Sequence, residues 1–140
     1  MTKSTTHKVH TVFTFGYGNR KNYDVFLDYI DKFDVSCVID VRLSPRAWSR
    51  KWYGDALEKF CVSKHIRYSS KKALGNLSGC RDWIPPEVVE AEKALSEVAE
   101  ILKLGNVLLL CSEMDYSRCH RAEVASKLQA LTGSSVKHLE

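Results

Sequence analysis

Val107-Leu108-Leu109-Leu110, running straight into Cys111-Ser112-Glu113, is the stretch on which the fold turns. Four consecutive aliphatic residues without polar alternation describe a strand buried on both faces, as in a parallel sheet covered by helices. Working outward, the same kind of run recurs at Val9 to Phe15, closed by Gly16, and at Val35 to Val41. Ile66 to Tyr68 and Val136 to Leu139 read as shorter strands. Between these runs the spacing becomes helical. Phe26, Leu27, Ile30 and Phe33 predict a helix from Asn22 to about Phe33, and Leu57, Phe60 and Cys61 predict one from Asp55 to about Lys64. Pro85 and Pro86 suit the first turn of a third helix, with Val88, Ala91, Leu95, Val98 and Leu102 as its apolar stripe. Ser117 reads as the N-cap of a fourth, with Val124, Ala125, Leu128 and Leu131 inward and Gly133 as its stop. The alternation predicts an α/β fold: a single domain over residues 9–140, with a mostly parallel sheet of about four to five strands covered by helices. Residues 1–8 are expected to be a flexible segment.

At 140 residues the chain suits one domain with one continuous core. Its 44% hydrophobic content, with three Trp, six Tyr and five Phe, excludes an intrinsically disordered chain. No apolar run reaches the roughly 18 residues of a membrane span, and the polar opening residues lack a signal-peptide core. Five Cys, an odd number without paired spacing, argue against a secreted disulfide framework. A cytoplasmic protein with reduced thiols and no membrane partner is expected. The net charge of +4 is unevenly spread: residues 42–81 carry +8, and residues 82–140 carry −4. That asymmetry points to an anionic partner, a small molecule or a nucleic acid, on one face.

In a parallel sheet the strand C-termini share one edge, where open α/β sheets bind ligands. Tyr17, Gly18, Asn19 and Arg20 follow the first strand, Asp40 and Arg42 close the second, and Cys111 and Glu113 close the central one. Cys119, His120 and Arg121 follow after a short loop, and His138 ends the last strand. Gly16-Tyr17-Gly18 is expected to let backbone approach a ligand and to offer N–H groups to an anion. It is no dinucleotide fingerprint, since residue 21 is Lys, nor a Walker loop, so no cofactor is expected. The loop from Arg42 onward interleaves Arg46, Trp48, Arg50, Lys51, Trp52 and Tyr53. Aromatics among cations suit stacking on bases; alternatively one Trp packs beneath the loop and the Arg side chains face water.

Cys111 and Arg118 invite comparison with a cysteine phosphatase loop, but six residues separate them, the loop holds no Gly, and Glu113 and Asp115 would repel phosphate. Cys119 stands beside His120 and Arg121 near a predicted helix N-terminus, which would lower its pKa and make it a candidate nucleophile. Cys37 and Cys61 read as packing residues. Cys111, Cys119, His120 and His138 have the chemistry to bind zinc, but without a Cys-x-x-Cys pair no metal is assigned.

Gly-Tyr-Gly-Asn-Arg at 16–20, Asp-Val-Arg-x-x-Pro at 40–45, Leu74-Gly75, Cys111-x-Glu113 with Cys119-His120-Arg121, and Val136-x-His138 together resemble domain-of-unknown-function family 488. The resemblance runs from about residue 11 to 139. The family commonly has a second Gly where this chain has Asn76. The resemblance implies a small α/β domain of prokaryotic or viral type with these residues in one pocket, and it supplies no reaction.

The leading reading is an enzyme, a hydrolase or transferase, acting on a nucleotide, nucleoside or nucleic-acid base. Arg20, Arg42 and Arg121 would bind the anion, with Asp40 orienting an Arg and Tyr17 or Trp48 stacking on a base. Glu113 would be the acid or base, with His120 or His138 assisting and Cys119 as a candidate nucleophile. The alternatives are a nucleic-acid-binding module using residues 42–81, and a thiol redox or metal site on Cys111 and Cys119.

Overall fold

The computed structural model describes residues 10–140; the segment 1–8 and Val9 lie outside the described residues. Five strands form one sheet: β1 (Val12–Gly16), β2 (Val35–Asp40), β3 (Arg67–Ser70), β4 (Asn106–Cys111) and β5 (Val136–His138), in the order β3-β2-β4-β1-β5. Every pairing is parallel. Four helices join them: α1 (Asp24–Lys32), α2 (Gly54–Ser63), α3 (Val88–Leu102) and α4 (Arg121–Thr132). The expected α/β architecture is present.

β4 is the centre, pairing with β1 on one side and β2 on the other. Its unbroken aliphatic run follows from burial on both faces. Val107, Leu109 and Cys111 point into one core layer with Ala94, Leu95 and Val98 of α3 and Val124, Ala125 and Leu128 of α4. Leu108 and Leu110 point into the other, with Phe26 and Ile30 of α1 and Leu57 and Cys61 of α2. Phe15 anchors that second layer, stacking on Phe26 with ring centroids 5.5 Å apart. Cys37 and Cys61 are packing residues as expected, and burial pushes the Cys61 thiol up to about 12.

The topology sets where a ligand can sit. From β1 the chain leaves through α1 toward β2, and from β4 it leaves through α4 toward β5, on the opposite face. Neighbouring strands that send their chains opposite ways open a crevice at their C-terminal ends. That crevice lies between the segments after Gly16 and after Cys111.

Several boundaries differ from the sequence reading. Helix α3 starts at Val88, so Pro85 and Pro86 lie in the approach to it and Val88 faces solvent; the buried stripe gains Ala94 instead. α4 starts at Arg121 because Tyr116–Arg118 forms a separate 3-10 turn, capped by the Asp115 side chain accepting from the Ser117 N–H. Leu131, expected inward, is exposed in the last turn of α4, just before Gly133 ends the helix at φ 75°. Among the described residues no helix is long and apolar enough to cross a membrane. Leu109→Ala should therefore cost about 2–5 kcal/mol in urea unfolding, while Leu131→Ala should stay within about 0.5 kcal/mol of the parent.

Candidate functional site

The ends of β1 and β4 stay in contact past the last ladder bond. The Tyr17 N–H donates to the Cys111 carbonyl at 3.1 Å and the Gly18 N–H to the Ser112 carbonyl at 2.8 Å. This corrects the expectation that the Gly-Tyr-Gly turn offers free N–H groups to an anion: these donors are already used. The glycines make room for the protein's own backbone. A Cβ on Gly16 would lie 1.7 Å from the Glu113 carbonyl oxygen, and one on Gly18, at φ +56°, would strike the Met114 side chain. Arg121 explains that crowding. It is fully buried, with Nη1 donating to the Glu113 carbonyl and Nη2 to the Met114 carbonyl at 3.1 Å. It therefore shapes the loop after β4 rather than reaching a ligand.

Arg42 is likewise held within the protein. Nε and Nη2 grip the buried Asp40 carboxylate at 2.8 and 2.6 Å, and Nη1 donates to the Tyr17 hydroxyl at 3.0 Å and the Arg46 carbonyl at 3.2 Å. The Tyr68 hydroxyl gives Asp40 a further hydrogen bond at 2.6 Å. Burial alone would depress the guanidinium, but the hydrogen bonds and charge of Asp40 outweigh it, so Arg42 stays firmly charged. Asp40 orients an Arg, as its position in the sequence suggested. Tyr17 in turn stacks flat on Trp52, with centroids 4.8 Å apart and planes within 7°. Trp52 is buried with its indole N–H on the Arg20 carbonyl, whereas Trp48 is fully exposed, so the loop splits its two Trp between packing and solvent.

An open cleft of about 1190 Å³ lies over the crevice, lined by Tyr17 to Lys21, Arg46 to Ser49, Trp52, Tyr53 and Ser112 to Met114. Of the three Arg expected to meet an anion, Arg20 borders this cleft, with Nη1 on the Gly16 carbonyl at 3.0 Å. Arg46 and Lys21 join it there. A smaller cavity of about 320 Å³ adjoins it, bounded by Arg42, Asn76, Cys80, Cys111, Glu113, Arg118, Cys119 and His120 among others. The half-buried Glu113 borders both.

Cys111 and Cys119 bring their sulfurs to 2.9 Å. Cys119 donates to Cys111, which holds the Cys111 thiol well below its usual range; that bond and burial push Cys119 up. The lowered thiol is thus Cys111, not Cys119, because Cys119 spends its proton on its neighbour, which outweighs its place before α4. The His120 Nε2 meets two carbonyls, those of Val41 and Leu74, each at 3.0 Å. Two acceptors fix the proton on Nε2 and leave Nδ1 facing the Cys119 sulfur at 3.8 Å. Sγ of both cysteines and a ring nitrogen of His120 lie within 4.8 Å of one another. The two carbonyls and Cys80, which the sequence reading passed over, are positioned by loop geometry and carry no local pattern.

His138 lies apart, bordering neither cavity. Its Nδ1 meets the Thr14 hydroxyl at 2.7 Å and its ring stacks on Tyr116 with centroids 3.9 Å apart. Burial, with Arg121 nearby, lowers its pKa.

The chain matches the family "Domain of unknown function DUF488" over residues 22–128 and belongs to it. The match takes in Asp40, Arg42 and the Cys111-to-Arg121 segment; Tyr17 to Arg20 and His138 fall outside it. No curated protein and no solved structure matches the chain.

Asp40→Ala would leave a buried guanidinium without its counter-charge, and urea unfolding should show a loss of about 3–5 kcal/mol. His138 binds a proton more weakly folded than unfolded, where its pKa is about 6.5, so its contribution is present above that pH and lost as pH falls through the lower folded value. Relative to His138→Gln, the parent chain should therefore lose unfolding free energy between about pH 7.5 and 5.

Proposed function

We propose that the chain is an enzyme acting on a nucleotide, nucleoside or nucleic-acid base bound in the cleft between the β1 and β4 loops. One observation carries the reading: Glu113 borders both the aromatic, cationic cleft and the cavity of the two thiols. A carboxylate there lies within reach of a ligand held by either wall, as general acid–base chemistry requires. Arg20, Lys21 and Arg46 supply positive charge for phosphate. Trp48, bordering the cleft with its ring uncovered, offers a face for a base. In a hydrolysis, Glu113 would take a proton from water as the oxygen attacks, then return it to the departing group. Arg42 and Arg121 would act indirectly, by holding Tyr17 and the Glu113 backbone.

Incubation with a panel of nucleotides, nucleosides and bases tests the proposal. Trp48→Ala should weaken binding of the active member by about 1–3 kcal/mol, and Glu113→Gln should lower its turnover about 10²- to 10⁴-fold. Full turnover in Glu113→Gln would remove the role assigned to that carboxylate. Binding of nucleic acid that falls steeply with salt, without turnover of any member, would favour a binding module instead.

A further inference from the structure

We propose that Cys111, Cys119 and His120 bind a zinc ion, with the fourth coordination position open to the smaller cavity. The sequence lacks a Cys-x-x-Cys knuckle, but the fold assembles its ligands differently. Cys111 comes from the end of β4, and Cys119 and His120 from the segment that enters α4. Their ligand atoms lie within 4.8 Å of one another, close to what one ion spans. Zinc–sulfur bonds of about 2.3 Å in a tetrahedron set the two sulfurs roughly 3.8 Å apart. The sulfurs stand at 2.9 Å, so opening them by about 1 Å through side-chain rotation would admit the ion.

The independent pointer is what the far side of the His120 ring touches. A metal-ligating His almost always gives its other ring N–H to a carboxylate or backbone carbonyl, which fixes the tautomer and aims the free nitrogen at the metal. His120 does this with a single N–H shared between the Val41 and Leu74 carbonyls, each at 3.0 Å. Its Nδ1 is left facing sulfur, a weak partner for a buried imidazole. The Arg121 N–H lies 3.5 Å from the Cys119 sulfur, where it can support a thiolate. On binding, each thiol gives its proton to solvent, and two thiolates with a neutral imidazole cancel the charge of Zn²⁺. No net charge is then buried.

All three ligands are buried, yet all three border the cavity that also holds Ser112, Glu113 and Arg118. Two thiolates, one imidazole and an open fourth position is the ligand count of a catalytic zinc rather than a closed structural one. Cys80 borders the same cavity from an exposed loop and is not required as a ligand. The site is independent of the nucleotide reading, because its test measures metal and not turnover.

The chain, purified under reducing conditions without chelator, is assayed by elemental analysis. About one zinc per chain is expected, and Cys80→Ser should retain it. Cys111→Ser and Cys119→Ser should each weaken zinc binding at least ~100-fold in competition with a chromogenic chelator. Because a core variant can fail to fold, the parent chain supplies a second readout. Cobalt substitution should give thiolate-to-cobalt charge transfer and the intense visible bands of a tetrahedral site. Alkylation should spare Cys111 and Cys119 until chelator is added. A parent chain that takes up neither zinc nor cobalt, or that forms a Cys111–Cys119 disulfide in place of binding metal, would overturn the proposal. Loss of zinc in Cys80→Ser would overturn the open fourth position.

Discussion

The buried guanidinium of Arg121, laid across the ends of β1 and β4, is the constraint on which the site depends. A charge withdrawn from water needs compensation, and here it comes from the backbone carbonyls of Glu113 and Met114 rather than a carboxylate, while Nε is left without a partner among the described residues. The planar fork of arginine holds two successive carbonyls in one fixed geometry, whereas a lysine would meet them from a single rotatable ammonium. Pulling that loop inward brings the Glu113 carbonyl against Gly16, and no side chain fits between them. Three sequence features far apart, the glycine that ends β1, the loop after β4 and the arginine opening α4, are thus one packing solution. Glu113, which borders both cavities, thus has its backbone fixed from beneath by Arg121.

His120 makes the corresponding tie on the other side of the crevice. By donating to the carbonyls of Val41 and Leu74, it joins the segment after β2 and the loop before α3 to the pair of thiols. Asp40 and Arg42 brace the same segment from within. Buried polar groups of this kind contribute little net stability but specify one arrangement, since any alternative strands a donor or a charge. The two walls consequently differ in character. The groups suited to chemistry are locked by hydrogen bonds, whereas the aromatic and cationic groups facing them, Trp48 and Arg46, extend into solvent.

What could be read from the sequence divides along physical lines. β4 was legible because burial on both faces leaves an unbroken aliphatic run. The convergence of residues 17–20, 40–42 and 111–121 followed from parallel topology alone. The start of α4 was not legible, because Ser117 has the chemistry of a cap and spends it in a 3-10 turn where Asp115 is the acceptor. Val88 and Leu131 continue a correct period but lie exposed in the first turn of α3 and the last turn of α4, and periodicity does not reveal where a partner ends. Gly16-Tyr17-Gly18 was read as space for a ligand, when the space is taken by Glu113. A glycine announces close approach without saying by what. The thiol pair was inverted for a related reason: which sulfur keeps the proton depends on who donates to whom, a fact of three dimensions.

The +8 charge of residues 42–81 shows how a run in sequence dissolves in space. Arg42 is buried on Asp40, and Lys71 pairs with Glu97 at 2.9 Å. Arg50 covers the Tyr53 ring at 4.7 Å. What remains at the cleft is Arg46, joined there by Arg20 and Lys21 from residues 1–41, where five basic and five acidic side chains cancel. Charges gathered around a concave surface focus their field into it, whereas the same number strung along a flat face are each screened within about a Debye length. Folding thus places one cation of the basic stretch, Arg46, around the same concave surface as Arg20 and Lys21 from a distant part of the chain.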